Sequence, residues 1–329
     1  MKKEKQGFIN KNKPMTVSEI DVLLEKLKRS KDIENNTDIP YQFHRQTIKE
    51  ISKKIDDASK QMEVLFKHVR DGGDFPLEEI QKHILPTIKQ ASEIPHIYHL
   101  FYELNAKDEY TYRHTICVGI IATLIGKWLN LPEREMEDLT LGASLHDIGK
   151  TKISTEILNK PGKLTREEFE EMRYHTVHGY HLLRNIDSIT EDVALIALQH
   201  HEREDGNGYP IGLKGSQISH LSKIVAVADV FHAMSSARVY HEASPFYAVM
   251  KQMQQDAFGK LDPGIVLTFL NKMMNSLVGK KVKLTDHTIG TITLINPYDP
   301  LRCLIQTDNH LIDLKYNQFL QIERILDEE

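Results

Sequence analysis

A chain of 329 residues, 40% hydrophobic and 27% charged, is long enough for two or three compact units and can bury a sizeable core. Its formal net charge of −5 disfavours a strongly electrostatic nucleic-acid binder, and the apolar run at 116–126 falls short of the ~20 residues that a membrane span needs. Its two cysteines, Cys117 and Cys303, are far apart and make no disulfide framework, so a cytoplasmic protein is expected.

Residues 1 to about 15 are polar and Lys-rich. Thr16-Val17-Ser18-Glu19 has the spacing of a capping box, and Ile20, Leu23, Leu24 and Leu27 follow at helical spacing, which predicts a short amphipathic helix before a polar linker at 30–40. Ile48, Ile51, Ile55, Ala58, Met62, Leu65 and Val69 alternate steps of three and four and stop at Asp71-Gly72-Gly73. That pattern fits one long helix packed on its own domain or a short coiled coil. A second helix, with Ile80, Ile84 and Ile88 on one face, is predicted after Phe75-Pro76 despite Pro86, and a homodimer contact through this N-terminal pair is a further expectation.

From about 97 to 275 the apolar periodicity is helical, with one Gly-rich interruption at 205–215. The last 50 residues change character: 282–284, 289–294, 303–306 and 311–314 are short β-branched or alternating runs separated by turn material. The fold class is therefore mainly α, with a helical N-terminal region (1–96), a central helical domain (97–275) and a small β-barrel-like module (279–323).

Seventeen histidines are an unusual supply of imidazole, the commonest protein metal ligand. His114, His146-Asp147, His175, His200-His201 and Asp229 are the candidates in the helical region. His146-Asp147 and His200-His201 each follow an apolar run, and Asp229 lies inside Ile224–Val230. A carboxylate in so apolar a helix must be paired or bound to a cation, because burying it alone is very costly. Five imidazoles and two carboxylates suit Fe, Mn or Zn, whereas Ca and Mg prefer all-oxygen shells. Neighbours on a helix point about 100° apart, so one His-Asp pair is a poor chelate without ligands from other helices. Lys150, four residues after His146, would lie along the same face as a cation for an anionic substrate.

These pieces resemble the HD-GYP domain, a branch of the HD metal-dependent phosphohydrolases. The resemblance rests on His146-Asp147-Ile148-Gly149-Lys150 and on 200–210, which reads HHEREDGNGYP. It extends over roughly 104–270, through Lys107–Thr111, Ile157–Gly162, Gly212–Gly215, Val227–Val230 and Leu261-Asp262-Pro263. It implies an HD-type helical bundle and a phosphodiesterase opening cyclic di-GMP to the linear dinucleotide or on to GMP. The alternative is a weakened cyclic-dinucleotide-binding protein that signals through a partner.

The resemblance also implies two divalent transition-metal ions, Fe or Mn before Zn or Ni. His114, His146, Asp147 and Asp229 would surround one, and Asp147, His175, His200 and His201 the other. Asp147 and Lys150 take the catalytic roles, while Lys150, Arg238, Tyr209 and Gly208 contact substrate. Tyr110 stands where some members have the Glu of a third metal site. His232 and Ala237 replace acids, Val239 replaces Pro, and His241 replaces a basic residue, which puts substrate affinity in question.

Overall fold

The structure is a computed structural model that describes residues 41–94, 111–236, 246–317 and 319–326. The helix expected at Thr16–Leu27, the linker at 30–40, residues 107–110 with Tyr110, and the 237–241 stretch with Arg238 lie outside the described residues.

Helix α1 (Tyr41–Arg70) carries the expected apolar stripe, and Ile48, Ile51, Ile55, Ala58, Met62 and Val69 are buried. Near its end Phe66 is buried and Leu65 only partly so. The stripe thus drifts from heptad spacing towards the 3.6-residue period of a straight helix and joins the chain's own core. The helix stops at Gly72, whose φ of +89° suits a residue without Cβ. The second helix is α2 (Leu77–Glu79), a π-helical turn (Ile80–Ile84) and α3 (Leu85–Ala91) in direct succession. Pro86 has no N–H to give to an α-helical ladder, and the wider π turn lies just before it, leaving Ile80, Ile84 and Ile88 on one buried face.

The centre of the molecule is built on α4 (Thr111–Trp128) and α10 (His220–Ser235), which pack on each other. Both are apolar on nearly every side, as helices surrounded by protein must be. Around them lie α5 (Glu133–Leu145), a 3₁₀ turn (Ile148–Lys152), α6 (Thr155–Leu158), α7 (Arg166–Arg173), α8 (His175–Arg184) and α9 (Glu191–Gln199). Their starts are written in the sequence. Glu133 and Glu135 favour the positive end of α5, Thr165 and Glu168 form a capping box on α7, and Thr190 caps α9. Helices α11 (Phe246–Asp256) and α12 (Pro263–Asn275) close the bundle, and Asp262 accepts from the amides of Gly264 and Ile265 to start α12.

Five strands follow: β1 (Lys281–Leu284), β2 (Ile289–Leu294), β3 (Leu304–Gln306), β4 (Leu311–Asp313) and β5 (Ile322–Leu326). They form one antiparallel sheet in the order β4-β3-β2-β1-β5, with β4 and β5 as its edges. The fifth strand is not obvious from periodicity, since Glu323 and Arg324 interrupt it; Lys283 on β1 pairs with Glu323 at 3.1 Å. Val282, Ile292 and Ile305 belong to the same hydrophobic cluster as Ile55, Ile120 and Phe269. Tyr247 on α11 reaches the sheet region by donating to the Leu301 carbonyl at 3.0 Å. Among the described residues no helix is long and apolar enough to cross a membrane.

Candidate metal centre

The candidate ligands sit largely where helices end. His114 lies in the first turn of α4, His146 caps the C-terminus of α5, His175 opens α8, and His200 caps α9 with His201 next to it. Asp229 projects from the middle of α10. The approach of α8 to the turn after α5 depends on Gly149, where a Cβ would collide with the His175 carbonyl and the Gly179 amide. That contact brings His175 Nε2 to 3.3 Å from Asp147 Oδ1. All seven residues converge: His175, His200 and His201 form one group of donors, His114, His146 and Asp229 another, and Asp147 joins His146 and His200.

Three of the imidazoles are held identically. Nδ1 lies 2.8 Å from the Ala143 carbonyl in His146, 2.7 Å from the Met172 carbonyl in His175 and 3.0 Å from the Ala197 carbonyl in His200. A carbonyl can only accept, so each ring carries its proton on Nδ1 and, when neutral, turns a bare Nε2 inward. This is how metal-binding histidines are usually oriented. The bare atoms then face one another: His175 Nε2 is 3.3 Å from His200 Nε2. Among the described residues, the buried His146 Nε2 and Asp147 Oδ1 have no hydrogen-bond partner. His146 Nε2 does lie 3.3 Å from Asp147 Oδ2, but that contact lacks hydrogen-bond geometry. Lone pairs crowded together without protons between them are costly to bury, and a cation would convert the cost into coordination. The donor set fits transition-metal ions.

Electrostatics keeps the donors in the form a metal needs. Burial, opposed by Asp147, lowers His175 to about 4, and burial, opposed by Asp229, lowers His201 to about 3. His200 is driven well below its ordinary value by burial and by the neighbouring imidazoles. For Asp147, burial pushes upward, yet Lys150 and His146 outweigh it and hold the carboxyl well below the usual range. Asp229 behaves alike, with the His114 hydrogen bond chief among the groups that overcome burial. At neutral pH these groups are therefore neutral imidazoles and ionised carboxylates.

The local geometry around His146 differs from an unbroken helix. The α-helix ends there, Asp147 takes φ −97° and ψ 7°, and a 3₁₀ turn follows. His146 and Asp147 consequently approach each other, which the 100° step of a continuous helix would prevent. Lys150 is directed to Asp147, with Nζ 2.6 Å from Oδ2, rather than lying one α-helical turn along from His146.

The Gly-rich segment folds back over the site. Glu202, buried beside His201, accepts amide hydrogens from Ile211, Gly212 and Leu213 at 2.8–3.1 Å. Gly208 packs so closely on Glu202 and Arg203 that a Cβ would strike their backbone. Tyr209 therefore lies over His201, with ring centroids 4.7 Å apart, and the Arg173 guanidinium stands 4.8 Å from the Tyr209 ring. Burial, reinforced by Asp147 and Asp229, raises the Tyr209 phenol above its ordinary value. Glu202 and Arg173 were not evident from sequence. Glu202 follows two buried histidines and is itself buried, but only the fold reveals which amides it gathers. His178 is half-buried and His181 is exposed.

A family profile described as HD domain matches residues 99–265, just over half of the chain. The chain belongs to the HD domain family. Within it, the 146–150 and 200–210 motifs and the relatives place this HD-domain protein in the HD-GYP branch. A cyclic di-GMP phosphodiesterase of Pseudomonas aeruginosa is 36% identical over 57% of this chain and 45% of its own length. A cyclic di-GMP phosphodiesterase of Thermotoga maritima is 42% identical over 51% and 47%. A 3′3′-cGAMP-specific phosphodiesterase of Vibrio cholerae is 34% identical over 53% and 37%. The chain thus spans less than half the length of these curated relatives. The fold is shared with an HDG"Y"P protein of Bdellovibrio bacteriovorus, at a TM-score of 0.53 and 17% identity over 77% of this chain and 79% of that one.

Proposed function

We propose that this HD-domain protein is a metal-dependent phosphodiesterase that hydrolyses cyclic di-GMP, with residues 97–275 as the catalytic domain and 1–96 and 279–323 as flanking regions. The observation that carries this reading is the inward convergence of Nε2 atoms from His146, His175 and His200 on the Asp147 carboxylate. Two cations fit the donors: His114, His146 and Asp229 would hold one, His175, His200 and His201 the other, with Asp147 shared between them. Fe or Mn suits the mixed imidazole and carboxylate set, with Zn or Ni as alternatives. When bound, such a pair supplies Lewis acidity and positive charge at the phosphate under attack.

The chain's own residues supply the rest. The Lys150 ammonium is one-quarter exposed while it touches Asp147, so it can both hold that carboxylate ionised and meet a phosphate oxygen from the pocket side. Tyr209 and Arg173 form a flat cationic wall against which a base or phosphate can rest. Gly208 allows the loop to lie close, and Arg238, outside the described residues, would add a forked donor. Glu202 fixes the loop that carries Tyr209 by gathering the amides of 211–213.

The reading is tested with protein purified without oxygen, loaded with Fe or Mn and offered cyclic di-GMP and 3′3′-cGAMP at equal metal content. Linear diguanylate or GMP should form, faster than product from the mixed dinucleotide. Metal-loaded protein that binds either dinucleotide and returns it intact would overturn hydrolysis, and preferred turnover of 3′3′-cGAMP would overturn the substrate.

A further inference from the structure

The Gly-rich segment that carries Tyr209 is held from two sides. Glu202 gathers the amides of 211–213 on one side. On the other, the Glu204 amide donates to the Lys260 carbonyl at 3.2 Å and the Asp205 amide to the Gly259 carbonyl at 2.7 Å, which lays the loop against the connection between α11 and α12. One ammonium closes this second anchor. Lys223 Nζ lies 2.9 Å from Glu204 Oε1 and 3.3 Å from Asp262 Oδ2, and its side chain is only 16% exposed. Asp262 accepts with its other oxygen, Oδ1, from the Gly264 and Ile265 amides that start α12. Lys223 stands in the first turn of α10, near the positive end of that helix, where a cation gains nothing from its own helix. Burial pushes its ammonium down, yet Glu204 and Asp262 outweigh burial and raise it above the ordinary lysine value. We infer that Lys223 is a positioning residue of the proposed phosphodiesterase: it clamps Glu204, on the Tyr209 loop, to the start of α12 and so fixes how Tyr209 lies over the metal centre.

One helix relates the clamp to the centre. Asp229 follows Lys223 by six residues on α10, about 9 Å along the axis, and faces His114 and His201. Glu204 has little room to turn elsewhere, because Gly215 packs so closely that a Cβ would strike its carboxylate. Without the ammonium, Glu204 and Asp262 would be two like charges at one spot, and their repulsion would push the loop off the α11–α12 connection. Tyr209 would move with it. Its amide donates to the His201 carbonyl at 3.2 Å and its ring centroid lies 4.7 Å from that of His201, so the loop meets the centre there. The donors on α4, α8 and α10 would stay in place. Lys223 therefore acts on the wall that receives substrate and not on the metal.

The inference rests on the phosphodiesterase reading, and its test separates the two. In steady-state kinetics of the Mn²⁺-loaded full chain on cyclic di-GMP, Lys223→Met should raise KM ~10-fold and leave kcat within ~3-fold of wild type. Metal content of the same samples should not change. Lys223→Arg, whose guanidinium can meet both carboxylates, should bring KM back near the wild-type value. In a Tyr209→Ala background, Lys223→Met should add less than ~2-fold, because it acts through that ring. Equal losses in both backgrounds, a fall in kcat alone or depletion of metal would overturn the inference. Should Lys223→Met melt at a lower temperature, Glu204→Gln breaks only the loop side of the clamp and should raise KM in the same way; an unchanged KM in that variant would refute the clamp. Hydrogen exchange reads the clamp without activity: amides of 203–214 should exchange faster in Lys223→Met while those of α4 and α8 do not, and unaltered exchange at 203–214 would also refute it. If folded, metal-loaded wild type leaves cyclic di-GMP intact, the phosphodiesterase reading falls, and the exchange measurement alone decides whether Lys223 holds the loop.

Discussion

Two parts of the candidate centre reach the same place by different means. His146, His175 and His200 each lean on a carbonyl three residues earlier in the chain, so short sequence segments specify both their direction and their tautomer. His114 also meets partners far away in sequence: His232 lies 118 residues on, and Arg113, its immediate neighbour, pairs with Asp56 on α1. Helix α1 touches this region again through the edge-to-face contact of Phe66 with Tyr112 and through Arg70, which donates to the Lys150 carbonyl. A locally encoded shell should tolerate change elsewhere in the protein. The His114 side should respond to whatever shifts α1 or α10.

The largest expected effect erases the distinction. Asp147 stands between the two groups of donors, with Oδ1 facing His175 and His200 and Oδ2 facing His146 and Lys150. Asp147→Ala should abolish phosphodiesterase activity and reduce bound metal from about two ions per chain to below one. Elemental analysis alongside the assay checks both. Retention of one tight ion would mean that the carboxylate serves only one side.

A second test isolates the buried imidazoles. In chelated protein His175 has its pKa lowered to about 4 and His201 to about 3, chiefly by burial. Unfolded chains take up these protons near pH 6.5. Because the folded pKa values lie below the unfolded ones, their contribution to stability is complete above about pH 6.5 and is lost as pH falls towards 4. The depressed carboxyls of Asp147 and Asp229 continue the loss in the same direction at lower pH. Urea unfolding of metal-free protein should therefore show stability lower by a few kcal/mol at pH 4.5 than at pH 7.5. In His175→Ala that difference should shrink. An unchanged pH dependence in this variant would show that the locally held ring is not the one that resists protonation.

This contrast also explains what was legible in the sequence. The helices of the bundle, the β-rich C-terminus and the seven clustered side chains follow from periodicity and motif. His-Asp after one apolar run and His-His after another mark helix ends, where the i−3 carbonyls wait for a ring N–H. What periodicity misses is tertiary. The break at His146 turns Lys150 towards Asp147, and no local pattern announces it. Glu202 looks like a surface carboxylate until the 211–213 amides fold around it. The pairings of Asp56 with Arg113 and of His114 with His232 join helices whose order in space the sequence does not state. The fifth strand was obscured because its outward positions are charged, and its inward contact with β1 is what completes it.

The smallest expected effect probes the long-range side alone. Arg113 is buried and Asp56 partly exposed, so their pair joins α1 to the helix turn that presents His114. Asp56→Asn keeps the size of the side chain and removes its charge, leaving the guanidinium with a weaker acceptor. A pair partly open to solvent is worth less than a fully enclosed one, and the expected loss is ~1–2 kcal/mol in the unfolding free energy. If α1 steadies the His114 side, this variant should bind one of its two ions up to ~10-fold more weakly, and excess Mn²⁺ should restore the rate. The second ion, for which His175 and His200 lean on carbonyls of their own segments, should be unaffected. Equal weakening of both ions would mean that α1 braces the bundle as a whole, and the two parts of the centre would then differ in their hydrogen bonds but not in what controls them.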